Sequence, residues 1–259
     1  KSYPLAANSG PNCLHGGVRG FNQAVWQARG VDGSLVPTHV SPDGDEGFPG
    51  PLGVRVTFSL TADGVLRLDY WAKSDADTLC NLTNHSYFNL LGHDAGTLAG
   101  QQVEIFADAI TQTDENSTPT GALLPVEGTP FDLHRPRDFL EGLAMDHPQL
   151  TLGNGYDHNF VLHTAPVSPL SLAARVSGGG LVLECLTTQP GLQLYTANYL
   201  DGTPGKGGAS YGPRSAFCLE TQNWPDAVHH ASFPSPVLRA GEVYRHRTVY
   251  RVGMCPPLP

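Results

Sequence analysis

Long hydrophobic runs are missing from this sequence. No apolar stretch approaches the roughly 20 residues that a membrane-spanning helix needs, so a membrane is not expected as a partner. Clustered positive charge is missing too. The 15 Lys and Arg are outnumbered by 24 Asp and Glu, giving a formal charge of −9, and no basic run occurs. That balance excludes nucleic acid and anionic membrane surfaces, which both need grouped Lys and Arg. A neutral or small cationic partner fits better. Paired cysteines are absent as well. The five thiols (Cys13, Cys80, Cys185, Cys218, Cys255) are odd in number and never spaced C-x-x-C. Neither a disulfide framework nor a structural zinc site is expected, and reduced thiols in the cytoplasm are the simpler reading. The 11 histidines include no H-x-H or H-E-x-x-H pair, so no metal is expected, and no Gly-rich phosphate loop precedes a helix. No cofactor is called for.

Long helical patterns are also lacking. The 30 Gly and 22 Pro are spread along all 259 residues, which favours many short elements joined by turns. Strand patterns dominate what remains. In Val65-Leu66-Arg67-Leu68-Asp69-Tyr70-Trp71, the residues Leu66, Leu68 and Tyr70 share one face and Arg67 and Asp69 the other. The segment 243–252 is rich in Val, Thr and Tyr, which pack well on a pleated surface. Further strands are expected at 54–60, 78–89, 102–107, 159–163, 170–177, 181–188, 192–198 and 216–222. The one helical stretch expected is short, about 136–145, with Pro136 in its first turn. The segments 41–51 and 201–214 read as surface loops. This pattern predicts an all-β chain, a large antiparallel β-sandwich or barrel, built as a single domain over 1–259.

Four polar stretches place ionisable groups inside or beside apolar strands. In Asn12-Cys13-Leu14-His15-Gly16-Gly17, two glycines after His15 let another molecule approach the backbone; a histidine in a plain turn is the alternative. In 81–90, strand alternation puts His85, Tyr87 and Asn89 on one face and Asn84, Ser86 and Phe88 on the other. That density of hydrogen-bonding groups points either to a site or to a polar network under a loop. Gly155-Tyr156-Asp157-His158-Asn159-Phe160 enters a strand, as a site or as an Asx turn. Glu220 sits within the apolar run 217–220, where burial would raise its pKa toward what a general base needs near neutrality; an ion-paired structural Glu is the other reading. Gln193, between these last two stretches, could donate to and accept from a polyol. Asp157 with Glu220 would also suit glycoside hydrolysis, which requires a particular carboxyl separation.

The ordered blocks Asn12-x-Leu14-His15-Gly16-Gly17, Asn84-His85-Ser86-Tyr87-Phe88-Asn89-Leu90, Tyr156-Asp157-His158-Asn159-Phe160 and Leu219-Glu220-Thr221-Gln222 resemble the aldose 1-epimerases. The closing pattern Pro225-Asp226-Ala227, Phe233-Pro234 and Leu238-Arg239-x-Gly241-Glu242-x-Tyr244 is similar too, and with Ser41-Pro42-Asp43-Gly44 the match is nearest the animal galactose mutarotases. The resemblance implies a galactose mutarotase-like supersandwich. It implies interconversion of the α and β anomers of galactose or glucose, with His85 as proton donor and Glu220 as proton acceptor. His15, Asp157 and Gln193 would bind sugar hydroxyls, with Ser86 and Tyr87 beside them. A monomer or weak homodimer is expected. Relative to the family pattern the sequence begins after an Asn-Arg pair and several strands, so the expectation includes an N-terminally incomplete sandwich with an exposed edge. A catalytically inactive sugar-binding protein of the same fold is the alternative this departure leaves open.

Overall fold

A computed structural model describes residues 1–163 and 170–255. The chain passes first through β1 (Gln27–Val31), β2 (Ser34–Ser41), β3 (Leu52–Leu60), β4 (Val65–Ser74) and β5 (Thr78–Leu79). It continues through β6 (Tyr87–Phe88), β7 (Gln102–Ile105), β8 (Ala107–Thr113), β9 (Pro119–Pro125), β10 (Arg137–Asp138), α1 (Phe139–Leu143) and α2 (Pro148–Leu152). Then come β11 (Asp157–Leu162), β12 (Ser171–Gly178), β13 (Leu181–Thr187), β14 (Gly191–Tyr195), β15 (Thr203–Pro204), β16 (Ser210–Tyr211) and β17 (Phe217–Gln222). β18 (Val237–Leu238) and β19 (Val243–Met254) follow. Strand makes up 43% of the structure and helix 8%, in antiparallel sheets, so the all-β expectation holds. The chain divides into two compact units, Lys1–Leu82 with Asp226–Thr248 and Thr83–Pro225 with Val249–Pro259.

The first unit carries the antiparallel run β1-β2-β3-β4. Asp32 and Gly33, both at positive φ (47° and 76°), make the two-residue turn between β1 and β2, the geometry whose twist matches the flanking strands. Leu68, Tyr70 and Ala72 of β4 are buried while Arg67 is exposed, as the alternation requires. Leu52, Val54, Ala72, Cys80 and Leu238 form a buried cluster, with Phe21, Trp26, Leu82 and Tyr244 packed against it.

The second unit holds a six-stranded antiparallel sheet in the order β6-β17-β14-β11-β8-β9, and the run β13-β12-β7-β10. A single residue, Phe106, separates β7 from β8 and passes the chain from one sheet to the other. Its N–H donates to Ala173 O (3.0 Å) beside the first, and its C=O accepts from His163 N (3.2 Å) beside the second. One face of the six-stranded sheet is apolar: Phe160, Leu192, Leu194, Phe217 and Leu219 are each at most 1% exposed. Side chains of this size contribute about 1.5–3 kcal/mol each when fully buried. Against that face the Tyr250 hydroxyl donates to Leu219 O (2.7 Å), Phe88 packs on Tyr250, and Phe139 stacks on Phe217.

Three expectations are corrected. The strand foreseen over 78–89 survives only as β5 and β6, because Asn84 diverts the chain: its Oδ1 accepts from Ser86 N and its Nδ2 donates to Tyr250 Oη. The helix foreseen over 136–145 contracts to α1, since Asp138 caps it by accepting from Leu140 N at 2.8 Å. A second short helix, α2, starts at Pro148, with the His147 side chain accepting from Gln149 N. Also, the expected loop 201–214 contains the small β15–β16 hairpin.

Candidate active site

The register of the six-stranded sheet assembles the candidate residues. Directly opposed residues of antiparallel strands share a face, so pairing carries a side chain's position across the sheet. One rung runs Tyr87, Cys218, Tyr195, Asp157 across β6, β17, β14 and β11. The next but one along the same face runs Glu220, Gln193, Asn159. The residues between them, Leu219, Leu194 and His158, turn to the core. The polar face is therefore the obligatory complement of the apolar one.

His85 joins this face from the segment before β6. Its ring stacks on Tyr87 (centroids 4.9 Å, 27° between planes) and meets Tyr195 edge-on at 5.8 Å. Its Nε2 lies 3.6 Å from Glu220 Oε1. Two aromatic walls and a buried carboxylate thus fix where the imidazole can stand. Glu220 is only 6% exposed. Burial, and then the charge of Asp157, push its pKa up to about 8. Burial likewise raises Asp157 to about 6, against the opposing hydrogen bond that Gln193 Nε2 donates to its Oδ1 at 2.8 Å. Tyr87 and Tyr195 are both shifted up by burial and stay neutral hydroxyls.

The structure thus brings His85, Tyr87, Asp157, Gln193 and Glu220 onto one polar face. Ser86 sits on the exposed turn between His85 and Tyr87, where its N–H donates to Asn84. His15 belongs to the first unit, in the turn 14–17, at a positive φ of 54°; partial burial holds its pKa below the ordinary value. Asn84 and Asn89 serve the polar network that was the alternative reading of 81–90: Asn89 Nδ2 donates to Thr97 O and Ser215 O.

Sequence reasoning passed over Asn159, Gln222 and Tyr195. Asn159 is 1% exposed and its Oδ1 accepts from Gln222 Nε2, which also donates to Gln193 Oε1, both at 3.4 Å. Period-two counting from Glu220 reaches Gln222, and from Gln193 it reaches Tyr195, so the signal was present. His85 Nε2, Cys218 Sγ and a Glu220 oxygen lie within 4.8 Å of one another. Burial raises the Cys218 thiol strongly, which opposes the thiolate a metal would need. Gly208-Ala209-Ser210-Tyr211-Gly212 has the spacing of a hydrolase nucleophile elbow, but Ser210 opens a strand of the exposed β15–β16 hairpin, where an elbow serine would end a strand and lead into a helix.

The family model described as aldose 1-epimerase matches residues 1–251. The chain belongs to the aldose 1-epimerase family. It is 47% identical over 249 residues to the galactose mutarotase of Sus scrofa, covering 96% of this chain and 71% of that protein. It is 36% identical over 252 residues to the aldose 1-epimerase of Escherichia coli K12, covering 95% and 72%. Among solved structures, the GalM/aldose epimerase homologue from C. elegans superposes with a TM-score of 0.89 at 29% identity, covering 98% of this chain and 76% of that one. The aldose 1-epimerase fold expected from the sequence is thereby shown. Among the described residues no helix is long and apolar enough to cross a membrane.

Proposed function

We propose that this chain is an aldose 1-epimerase, an isomerase that interconverts the α and β anomers of free aldohexoses such as galactose and glucose. Glu220 is the base and His85 the acid. Mutarotation requires a proton to leave the anomeric hydroxyl while another reaches the ring oxygen, and these two oxygens share one carbon. An acid and a base serving them must therefore both reach within hydrogen-bond distance of atoms on that one carbon, which requires them to be near neighbours. The approach of His85 Nε2 to 3.6 Å from Glu220 Oε1, on the polar face of a sheet whose other face is core, is the observation that carries this reading.

The cycle balances without a further reactant. Glu220 takes the proton from the anomeric hydroxyl as the C1–ring oxygen bond breaks, and His85 delivers a proton to that oxygen. Rotation about C1–C2 presents the other face of the aldehyde. The freed hydroxyl attacks, His85 recovers its proton, and Glu220 returns one to the new anomeric oxygen. A base with a pKa near 8 is well matched to this work, because it both accepts and returns a proton near neutrality. Asp157 and Gln193, locked to each other at 2.8 Å, hold sugar hydroxyls, with Tyr87 beside them. Ser86 joins these contacts on the strength of the family resemblance. The five free cysteines suit a reducing cytoplasmic location. We assign the chain as a monomer or weak homodimer. Polarimetry on freshly dissolved α-D-galactose and α-D-glucose tests the function: acceleration is expected, and an optical rotation decaying at the buffer rate would refute it.

A further inference from the structure

Outside the catalytic face, one carboxylate in the second unit gathers two imidazoles. Asp108 in β8 has its Oδ1 at 3.0 Å from His134 Nε2 and its Oδ2 at 2.7 Å from His163 Nε2. His134 comes from the connection between β9 and β10, and His163 directly follows β11. One donor atom from each lies within 4.8 Å of the other two. Behind His134 stands a fourth group: its Nδ1 is 2.8 Å from Asp132 Oδ1.

We propose that Asp108, His134 and His163 form a binding site for a divalent transition-metal ion of the zinc type. An imidazole that gives its Nδ1–H to Asp132 turns the lone pair of Nε2 toward Asp108, so two electron-pair donors face each other across 3.0 Å. A proton on Nε2 makes that arrangement favourable by donating to Asp108, and a metal ion can stand in that proton's place and reach His163 as well. A single cation satisfies both histidines and the carboxylate together. A carboxylate behind a ligating histidine is the usual outer partner in zinc sites, where it fixes the tautomer and raises basicity. Two imidazoles and one carboxylate select zinc, copper or nickel over calcium and magnesium, which prefer oxygen. Ligand distances of about 2.0–2.2 Å need only modest opening of the present donor spacing. The side chains can supply it, since those of Asp108, His134 and His163 are 76%, 39% and 52% exposed. Asp108, Asp132 and His134 also border a hollow of about 710 Å³, leaving room for water in the fourth position. The ligands come from three separate segments, which is why no spacing rule in the sequence pointed to a metal.

Calorimetric titration of the full chain with Zn²⁺, freed of metal beforehand and kept at mildly alkaline pH, tests this. One equivalent is expected to bind, with affinity falling at least about 100-fold in the double variant His134→Asn with His163→Asn. Asp132→Asn should weaken binding about 10- to 100-fold. The double variant alters exposed side chains and Asp132→Asn a half-buried one of nearly unchanged shape, so both should keep wild-type circular dichroism and mutarotation. Cys218→Ser separates this site from the donors near Glu220 and should bind Zn²⁺ as the wild type does. Absence of binding, or binding that survives the double substitution, overturns the proposal, as does loss of binding in Cys218→Ser alone. Undiminished affinity in Asp132→Asn overturns the orienting role of Asp132.

Discussion

At the scale of single residues, the proposed chemistry rests on two groups that the fold holds in unequal environments. Glu220 is buried in a strand, whereas the His85 side chain is 31% exposed and held between tyrosines. His85→Asn and Glu220→Gln each remove one proton-transfer partner and nearly preserve shape, so each should cut the mutarotation rate by at least about 100-fold. Polarimetry gives the rates, and near wild-type turnover in either variant removes that residue from its role. The pH profile is a finer test. Glu220 must be ionised to act as base, so kcat/KM of the free enzyme should rise with pH as the group titrates near 8. Asp157 contributes to that high value through its charge. Asp157→Asn should therefore shift the acidic limb of the profile to lower pH, besides raising KM through the lost sugar contact. An unmoved limb would mean that burial alone sets the Glu220 pKa.

At the scale of elements, β14 is the spacer that sets the site's register. Gly191 opposes Gln222 on the polar face, and a Cβ there would stand 2.4 Å from Asn159 Oδ1 and 2.9 Å from Trp224 Cδ1. Gly191→Ala should push Asn159 and Gln222 out of their mutual contact, costing about 1–3 kcal/mol of stability and some activity. Urea unfolding measures the first and polarimetry the second; an undisturbed variant would show that this contact does not support the site. The strands that carry the site were legible in the sequence because each is buried on one face, which forces period two: β11, β14 and β17 all begin and end within three residues of expectation. β1 and β2 were not legible. β1 is exposed along its whole length, so no alternation marks it, and the only local cue was Asp32-Gly33. The stretch 78–89 misled for the opposite reason: its alternating polar residues satisfy one another and Tyr250 by side-chain bonds in place of a strand ladder. His85, Asp157, Gln193 and Glu220 were found as unusual polar residues in apolar surroundings. Asn159 and Gln222 escaped notice because each follows a more conspicuous ionisable residue by two positions, Asp157 and Glu220, which drew the reading of its strand.

At the scale of the whole molecule, stability should record three buried titrations, two of one sign and one of the other. Glu220 has a folded pKa near 8 against an ordinary value of 4.5, so between those limits the native state binds the proton that the unfolded chain has released. Stability from this group is present in full below 4.5 and is lost as pH rises toward 8, by about 1.4 kcal/mol per unit. Asp157 acts in the same direction, between 3.8 and about 6. His158 does the reverse. It is 1% exposed, packed edge-on against Phe131 at 4.6 Å, and burial lowers its pKa from 6.5 to about 3. The unfolded chain takes up a proton that the native state refuses, so this stability is lost as pH falls from 6.5 toward 3. Above pH 6.5 the Glu220 contribution therefore acts alone among these three groups. Glu220→Gln should gain stability over the wild type from pH 6.5 to 8, with the advantage shrinking toward pH 4.5. His158→Gln should lower stability at pH 7 by lost packing, yet flatten the decline on the acid side. Urea midpoints across this range measure both slopes. A Glu220→Gln curve parallel to that of the wild type between 6.5 and 8 would mean that the carboxylate is already ionised in the native state at neutral pH, held so by the imidazolium of His85 3.6 Å away.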